Sequence, residues 1–392
     1  MPSASGLPYW RLAGYYFFYF AYVGAFSPYF GLYLQSLGLS AWDIGLLMTQ
    51  SQLMRLFAPA LWGWFADRSG KRLTVVRWTS AVAVLGFCGF FVAERFAALM
   101  ASMIAMAFFW SAALPLVESL TFDHLKGEAG RYSRIRMWGS VGFIVAVAGG
   151  GALLDRMPVS AVVPLVAAIL AGIAALAFTL PEAHGGQRHA PAPGGLRGVL
   201  AQPRVRALLA ACFCMSATHG ALYVFYSIYL SDYGYSKALV GSMWCLGVAA
   251  EIAVFYFMAR LMRRYGLRQI LLASLAAAVL RFLLIGWGIG SLPVLVLAQL
   301  LHGITFGAFH AAAIAAINRW FPGRTQARGQ ALYSSLSFGA GGLVGGMISG
   351  YLWDTIGPAW VYTLSAGFAV IGWLLAARWV REDEPAPVAA AV

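Results

Sequence analysis

Charge is what this 392-residue chain has least of: Asp, Glu, Lys and Arg together make up 10% of it, where soluble domains carry roughly 25%. With 61% hydrophobic residues beside that scarcity, an ordinary soluble fold is excluded. Four stretches, Leu12 to Trp42, Ala207 to Ser231, Gly329 to Trp353 and Thr355 to Ala377, contain no charged residue at all. A bilayer-spanning helix needs about 20 mostly apolar residues. The chain therefore reads as an all-α integral membrane protein.

Cysteine is nearly absent too. Cys88, Cys212, Cys214 and Cys245 lie inside apolar runs without C-x-x-C spacing, which suggests neither a disulfide frame nor a zinc site. No metal or other bound cofactor is implied. The first apolar run is too long for a signal-peptide core and lacks a small-residue cleavage site, so it is expected to stay as a helix. Glycine runs around Gly149 and Gly345 lack the Gly-Lys-Ser/Thr ending of a phosphate-binding loop; their spacing suits close helix contact instead. The longest break in the apolar pattern leaves no room for the soluble domain of a receptor or scaffold. No hydrolytic cluster points to an intramembrane enzyme. The formal charge of +13 sits in short clusters between spans rather than on a soluble face, so nucleic acid is not an expected partner.

What is present is a duplication. Gly63 to Arg72, a charged turn between apolar runs, aligns 196 positions later with Ala259 to Arg268, placing Gly70 on Gly266 and Arg72 on Arg268. The same offset pairs Gly24 with Gly220, Tyr33 with Tyr229, Gly38 with Gly234 and Ser40 with Ser236. Two tandem membrane-spanning copies are a transporter signature.

The apolar pattern predicts twelve spans, six in residues 1–180 and six in residues 205–392, joined by a proline- and glycine-bearing linker over 181–204. If the N-terminus is cytoplasmic, 22 of the 27 Lys and Arg fall on the cytoplasmic side, while Arg95, Arg156 and Lys237 fall outside and Arg55 and Arg281 within spans. The positive-inside rule then places both termini in the cytoplasm of an inner, plasma-type membrane.

The turn carries Gly63, Asp67, Arg68, Gly70, Lys71 and Arg72, and in this it resembles the signature turn of the major facilitator superfamily, with Phe65 where that family usually has Leu. Within the superfamily, the stretches Tyr132 to Phe143, Gly234 to Glu251, Gln299 to Ile314 and Gln330 to Ser335 are similar to proton-linked phenylpropionate permeases, relatives of lactose and nucleoside symporters. Where lactose permeases carry His-x-x-Glu, this chain has His302-x-x-Thr305, followed by Phe306 and His310 as in the phenylpropionate group. The resemblance implies a twelve-helix carrier of two six-helix bundles. It also implies import, as a monomer, of a small aromatic carboxylate with a proton. An uncharged sugar or nucleoside as cargo, and drug efflux, are the alternatives; Trp138 to Asp155 lacks the proline of an efflux motif.

An ionisable side chain at the bilayer centre costs about 2.5 to 3.5 kcal/mol on insertion scales, so each asks for a partner or a wet cavity. Glu251 and Arg281, mid-span in the eighth and ninth helices, are expected to form a proton site and its counter-charge, with His302 and His310 as relays; a static ion pair is the bland alternative. Arg55 is expected to take a substrate carboxylate bidentately, beside Gln52, with a structural pair to Glu118 or snorkelling as alternatives. Tyr29, Tyr33, Tyr223 and Tyr226 are expected as cavity walls, and His219 and Thr305 as further substrate contacts. Glu118 and Arg136 are expected to gate the cytoplasmic mouth. Asp67, Arg68, Lys71 and Arg72 are expected to latch the turn to the neighbouring half.

Overall fold

A computed structural model describes residues 7–125, 129–182, 196–321 and 325–381. Most of the linker expected over 181–204, and Lys126 with it, lies outside these ranges. Every regular element among the described residues is helical. Of these, nine continuous or nearly continuous runs are long and apolar enough to cross a bilayer.

The first bundle opens with α1 (Tyr9–Ser36), followed by α2 (Ala41–Met48), α3 (Gln50–Arg55) and α4 (Ala58–Ser69), which are three pieces of one interrupted span. It continues with α5 (Arg72–Cys88), the broken pair α6 (Phe96–Trp110) and α7 (Ala113–Leu125), α8 (Ala129–Leu154) and α9 (Val162–Thr179). After the short α10 (Leu196–Ala201), the second bundle begins with another broken pair, α11 (Pro203–Thr218) and α12 (Gly220–Asp232). The 51-residue α13 (Lys237–Trp287) contains Gly266 at φ 69° and ψ 169°, so it is two spans meeting at a turn. Next come α14 (Leu292–His302) and α15 (Phe309–Trp320), joined by a π-helical turn at Gly303–Ala308. Then α16 (Gln326–Ser334) and α17 (Gly342–Ile356) are joined by a second π turn at Ser335–Gly341, and α18 (Pro358–Trp379) closes the chain.

The 196-residue offset is visible in the backbone. Gly38 and Gly234 both have positive φ, 76° and 97°, as do Gly70 and Gly266, 66° and 69°; side chains disfavour that region, so glycine ends the same helices in each copy. Ser40 accepts the Asp43 amide and Ser236 accepts the Leu239 amide as matching N-caps.

The interruptions have local causes. Pro59 and Pro115 supply no amide to the carbonyls of Arg55 and Ser111, four residues earlier, and the helices stop there. Near the other breaks side chains compete for helix carbonyls: Thr49 Oγ1 donates to Gly45 O at 2.8 Å, and His219 Nδ1 lies 2.8 Å from Met215 O. Broken helices at mid-membrane depth are tolerated where they line a cavity.

Packing within each bundle uses small residues, since lipid supplies no hydrophobic force between helices. A Cβ on Gly24 would meet Phe143 O of α8 at 2.6 Å, and one on its repeat partner Gly220 would strike the Gly345 backbone of α17. Large side chains such as Trp78, Leu85 and Tyr256 face outward, as a lipid-bathed wall requires. The bundles meet where α8 packs on α13, α2 on α17, and α1 on α12.

Candidate functional site

Between the bundles lies a cavity of about 250 Å³ walled from both sides. The first bundle contributes Phe20, Ser27, Arg136 and Ser140; the second contributes Tyr223, Trp244, Glu251, Arg281, Gln299 and His302. Its acid is Glu251, on α13, whose Oε2 lies 3.8 Å from His302 Nε2 at the end of α14. The Arg136 guanidinium, on α8, stacks over the Phe20 ring at 3.7 Å, which holds a cation at the wall facing Glu251.

Arg281 is wholly buried, and four contacts draw on its five N–H donors. Nε donates to Ala298 O at 2.9 Å, Nη1 to Thr305 Oγ1 and toward His219 Nε2 at 3.2 Å each, and Nη2 to Gln299 Oε1 at 3.4 Å. Among the described residues Glu251 makes no ion pair with Arg281. The arrangement expected from sequence is therefore replaced by a chain of contacts in which His302 faces the acid while the arginine ties α11, α14 and the π turn together. A guanidinium with fixed donor directions suits such a hub better than an ammonium would.

A second chamber of about 240 Å³ lies beside the first. It holds Arg55 and Gln52 of α3, with Tyr22, Phe26, Trp110, Tyr223, Phe306 and Phe338 as aromatic walls. Among the described residues Arg55 has no acidic partner; its guanidinium lies 5.9 Å over the Phe338 ring. The structural pair with Glu118 is not formed. Gln52 Oε1 is buried without a hydrogen-bond partner, so the chamber offers both a cation and an open acceptor. The cation fits a carboxylate and the rings an aryl face, while the open acceptor calls for a donor that an ionised carboxylate does not carry.

Several expected site residues do other work. Tyr29 donates its hydroxyl to Val147 O at 2.6 Å and Tyr33 donates to Phe90 O at 3.4 Å; both are buried against backbone and neither borders these cavities, a correction to their expected place in the wall. Tyr223 and Tyr226 do border the central one. His219 and Thr305 do not line it; they bond Arg281 and border a small adjoining space of about 30 Å³. His310 lies away from Glu251, with Nδ1 2.7 Å from the Tyr333 hydroxyl.

The gating set divides similarly. Arg72 binds Asp67 at 3.3 Å and Asp123 at 3.2 Å, and also Ser119. These contacts join α4, α5 and α7 inside one bundle, where a latch to the neighbouring half was expected, because the turn's cation finds its nearest acids on its own side. Arg68 stacks near Trp64, Lys71 is exposed, and Gly63 has open space where a Cβ would go. Glu118 accepts from Tyr132 Oη at 3.0 Å and is not paired with Arg136.

Sequence reading missed the contacts that join the bundles at the arginine-poor end. Asp155, after α8, accepts the backbone amides of Lys237 and Ala238 at 2.7 and 3.0 Å, while Asp354 of α17 accepts the amide of Ala41 at 3.1 Å. Each carboxylate caps the first turn of a helix in the opposite bundle, α13 and α2, where the helix dipole favours negative charge. Ala41 and Lys237 are 196 residues apart, so the two capped helices are repeat-related, while the acids that cap them, Asp155 and Asp354, are 199 apart. Gln35 of α1 also donates to Asp232 of α12 at 2.9 Å. The only signal in the sequence was a lone acid at the end of each of two spans, Asp155 and Asp354, and the amides they cap lie more than eighty residues away.

Comparison with known proteins bears on the family and the fold. The chain is 30% identical over 368 residues to a protein of Escherichia coli (strain K12) described as a probable 3-phenylpropionic acid transporter, covering 91% of this chain and 94% of that one. It is 26% identical to the maltose permease of Geobacillus stearothermophilus, over 95% and 94% of the two chains. The crystal structure of the nucleoside transporter NupG superposes with a TM-score of 0.83 at 18% identity, covering 96% of this chain and 99% of that one. Residues 9–364 match the model of the MFS_1 like family; the chain belongs to that family and is a major facilitator transporter, not an enzyme.

Proposed function

We propose that this transporter imports a small aromatic carboxylate together with a proton by alternating access, in a plasma-type membrane with both termini cytoplasmic. Counting α1 and the interrupted α2–α4 run as spans, and α13 as two, gives twelve crossings. The observation that carries the reading is the placement of charge in adjoining chambers: one holds the acid Glu251 with Arg136 and Arg281, and the other holds Arg55, which has no acidic partner among the described residues, among aromatic rings.

The chemistry follows from that placement. A charged Glu251 repels an incoming carboxylate across a half-dry cavity, and protonation removes the repulsion. The neutral acid then coexists with the substrate anion, whose charge is met by Arg55 and, on the way through, by Arg136. Rocking of the bundles exposes the loaded cavity to the cytoplasm, where loss of the proton restores the repulsion and favours release of the substrate, and loss of the substrate removes the negative charge that favoured a protonated Glu251. The resemblance to a probable 3-phenylpropionic acid transporter supports the aryl acid over a sugar. No bound cofactor enters this scheme.

Proteoliposomes holding the purified chain test it. With an inwardly directed proton gradient, 3-phenylpropionate accumulates above its outside concentration and a protonophore abolishes the accumulation. Uphill uptake at the wild-type rate by Glu251→Gln would overturn the coupling, and accumulation of maltose or a nucleoside in place of every aromatic acid tried would overturn the substrate class.

A further inference from the structure

Three chambers meet at two side chains. Tyr223 and Phe306 border the Glu251 cavity, the Arg55 chamber and a third space of about 30 Å³ beside His310, which is room for about one water molecule. The Phe306 ring lies nearly parallel to two imidazoles, His302 at 5.4 Å and 15° and His310 at 6.1 Å and 13°. His302 faces Glu251 at 3.8 Å on one side, and His310 reaches the Tyr333 hydroxyl at 2.7 Å on the other. The run of proton carriers from Glu251 to Tyr333 therefore has a 3.8 Å gap at His302, a little longer than a hydrogen bond, and a wider break at Phe306, a hydrocarbon ring that can neither give nor take a proton.

That ring is mounted where it can move. Phe306 sits inside the π turn Gly303–Ala308, a wider backbone loop that recurs at functional sites because it holds its residues less tightly than an α turn. Its neighbour Phe338, at 6.3 Å, sits inside the second π turn and lies under the Arg55 guanidinium. An aryl group entering the Arg55 chamber thus arrives against Phe306 and Phe338 together.

We propose that Phe306 is the partition that couples substrate to proton, a positioning residue whose ring keeps His302 and His310 apart while the Arg55 chamber is empty and yields when an aryl substrate stacks against it. Displacing the ring lets water join the two histidines, so the proton on the Glu251 side leaves only in the loaded carrier. The inference rests on the reading of Glu251 as the proton site.

The test reads proton entry without substrate. The full chain is reconstituted in proteoliposomes containing a pH-sensitive dye, and a proton gradient is imposed. Wild type leaks little; Phe306→Ala raises substrate-independent influx severalfold, Phe306→Leu raises it less, and Phe306→Trp leaves it near wild type. Adding Glu251→Gln to Phe306→Ala returns the leak to baseline. A monodisperse alanine variant that leaks no more than wild type overturns the proposal, as does a leak that survives Glu251→Gln. Should the alanine variant fail to fold, the leucine and valine variants carry the same ranking, and a flat series overturns it. Loss of uphill uptake in Glu251→Gln alone, alongside a tight Phe306→Ala, sinks the partition and leaves the proton site standing.

Discussion

The Asp155 carboxylate caps the helix that begins at Lys237, taking its backbone amide at 2.7 Å across the boundary between the bundles. Asp354 does the same for the helix that begins at Ala41. The two caps close the arginine-poor end with charge against helix dipoles, and they must break for that end to open. A carboxylate at a helix N-terminus contributes about 0.3 to 1 kcal/mol. Asp155→Asn and Asp354→Asn should therefore each shift the access equilibrium a few-fold toward the state open at that end, with the double variant shifting it further. Distances between spin labels on the ends of α8 and α13 check this; an unchanged distribution in the double variant would dismiss the caps as latches.

Arg281 should behave as a structural hub. Replacing it with methionine leaves Gln299, Thr305 and the Ala298 carbonyl without their donor in a buried place, and a buried neutral acceptor left unsatisfied costs about 1 to 3 kcal/mol. The melting temperature in detergent falls by several degrees, while Glu251→Gln changes it far less. Equal melting temperatures for Arg281→Met and wild type would show that the network is not holding α11, α14 and the π turn together.

Arg55→Lys separates charge from geometry. Lysine keeps the positive charge but loses the planar fork that pairs with a carboxylate and the stacking on Phe338. Apparent affinity for 3-phenylpropionate should drop about tenfold, on the order of 1.4 kcal/mol, with the maximal rate less affected. A loss of the same size for a neutral aryl alcohol would assign Arg55 to packing rather than to anion recognition.

Glycines separate by what surrounds them. Gly345→Ala drives a methyl group into the Ala217 carbonyl of α11, whereas Gly149 has nothing within 4 Å of its Cβ position. Forcing a methyl group into a packed contact costs about 1 to 3 kcal/mol, so Gly345→Ala should lower the melting temperature and Gly149→Ala should not. Equal stability of the two variants would contradict the close approach of α11 and α17.

Much of the architecture was legible because its causes are short-range or periodic. The charge-free runs announced spans, and the 196-residue offset announced the duplication that reappears in the paired glycine turns at Gly38 and Gly234, and at Gly70 and Gly266. Even the breaks beside Pro59 and Pro115 follow from a missing amide. The site was legible only as a set of residue types. Glu251, Arg281, His302, Arg55 and Arg136 stand out because charge at bilayer depth is costly, yet nothing in their spacing says who faces whom.

Composition and repeat by themselves determined that this chain folds as a duplicated helical membrane protein, since insertion depends on summed apolar character along each run. Tertiary packing alone decided that Arg281 spends its donors on Thr305, Gln299 and a carbonyl while Glu251 turns to His302, and that Tyr29 and Tyr33 serve backbone instead of cavity. A helix fixes which face each side chain occupies only relative to its own axis. Its rotation against its neighbours is set by contacts between residues far apart in the chain, such as Gly220 on Gly345 and Asp155 on Lys237.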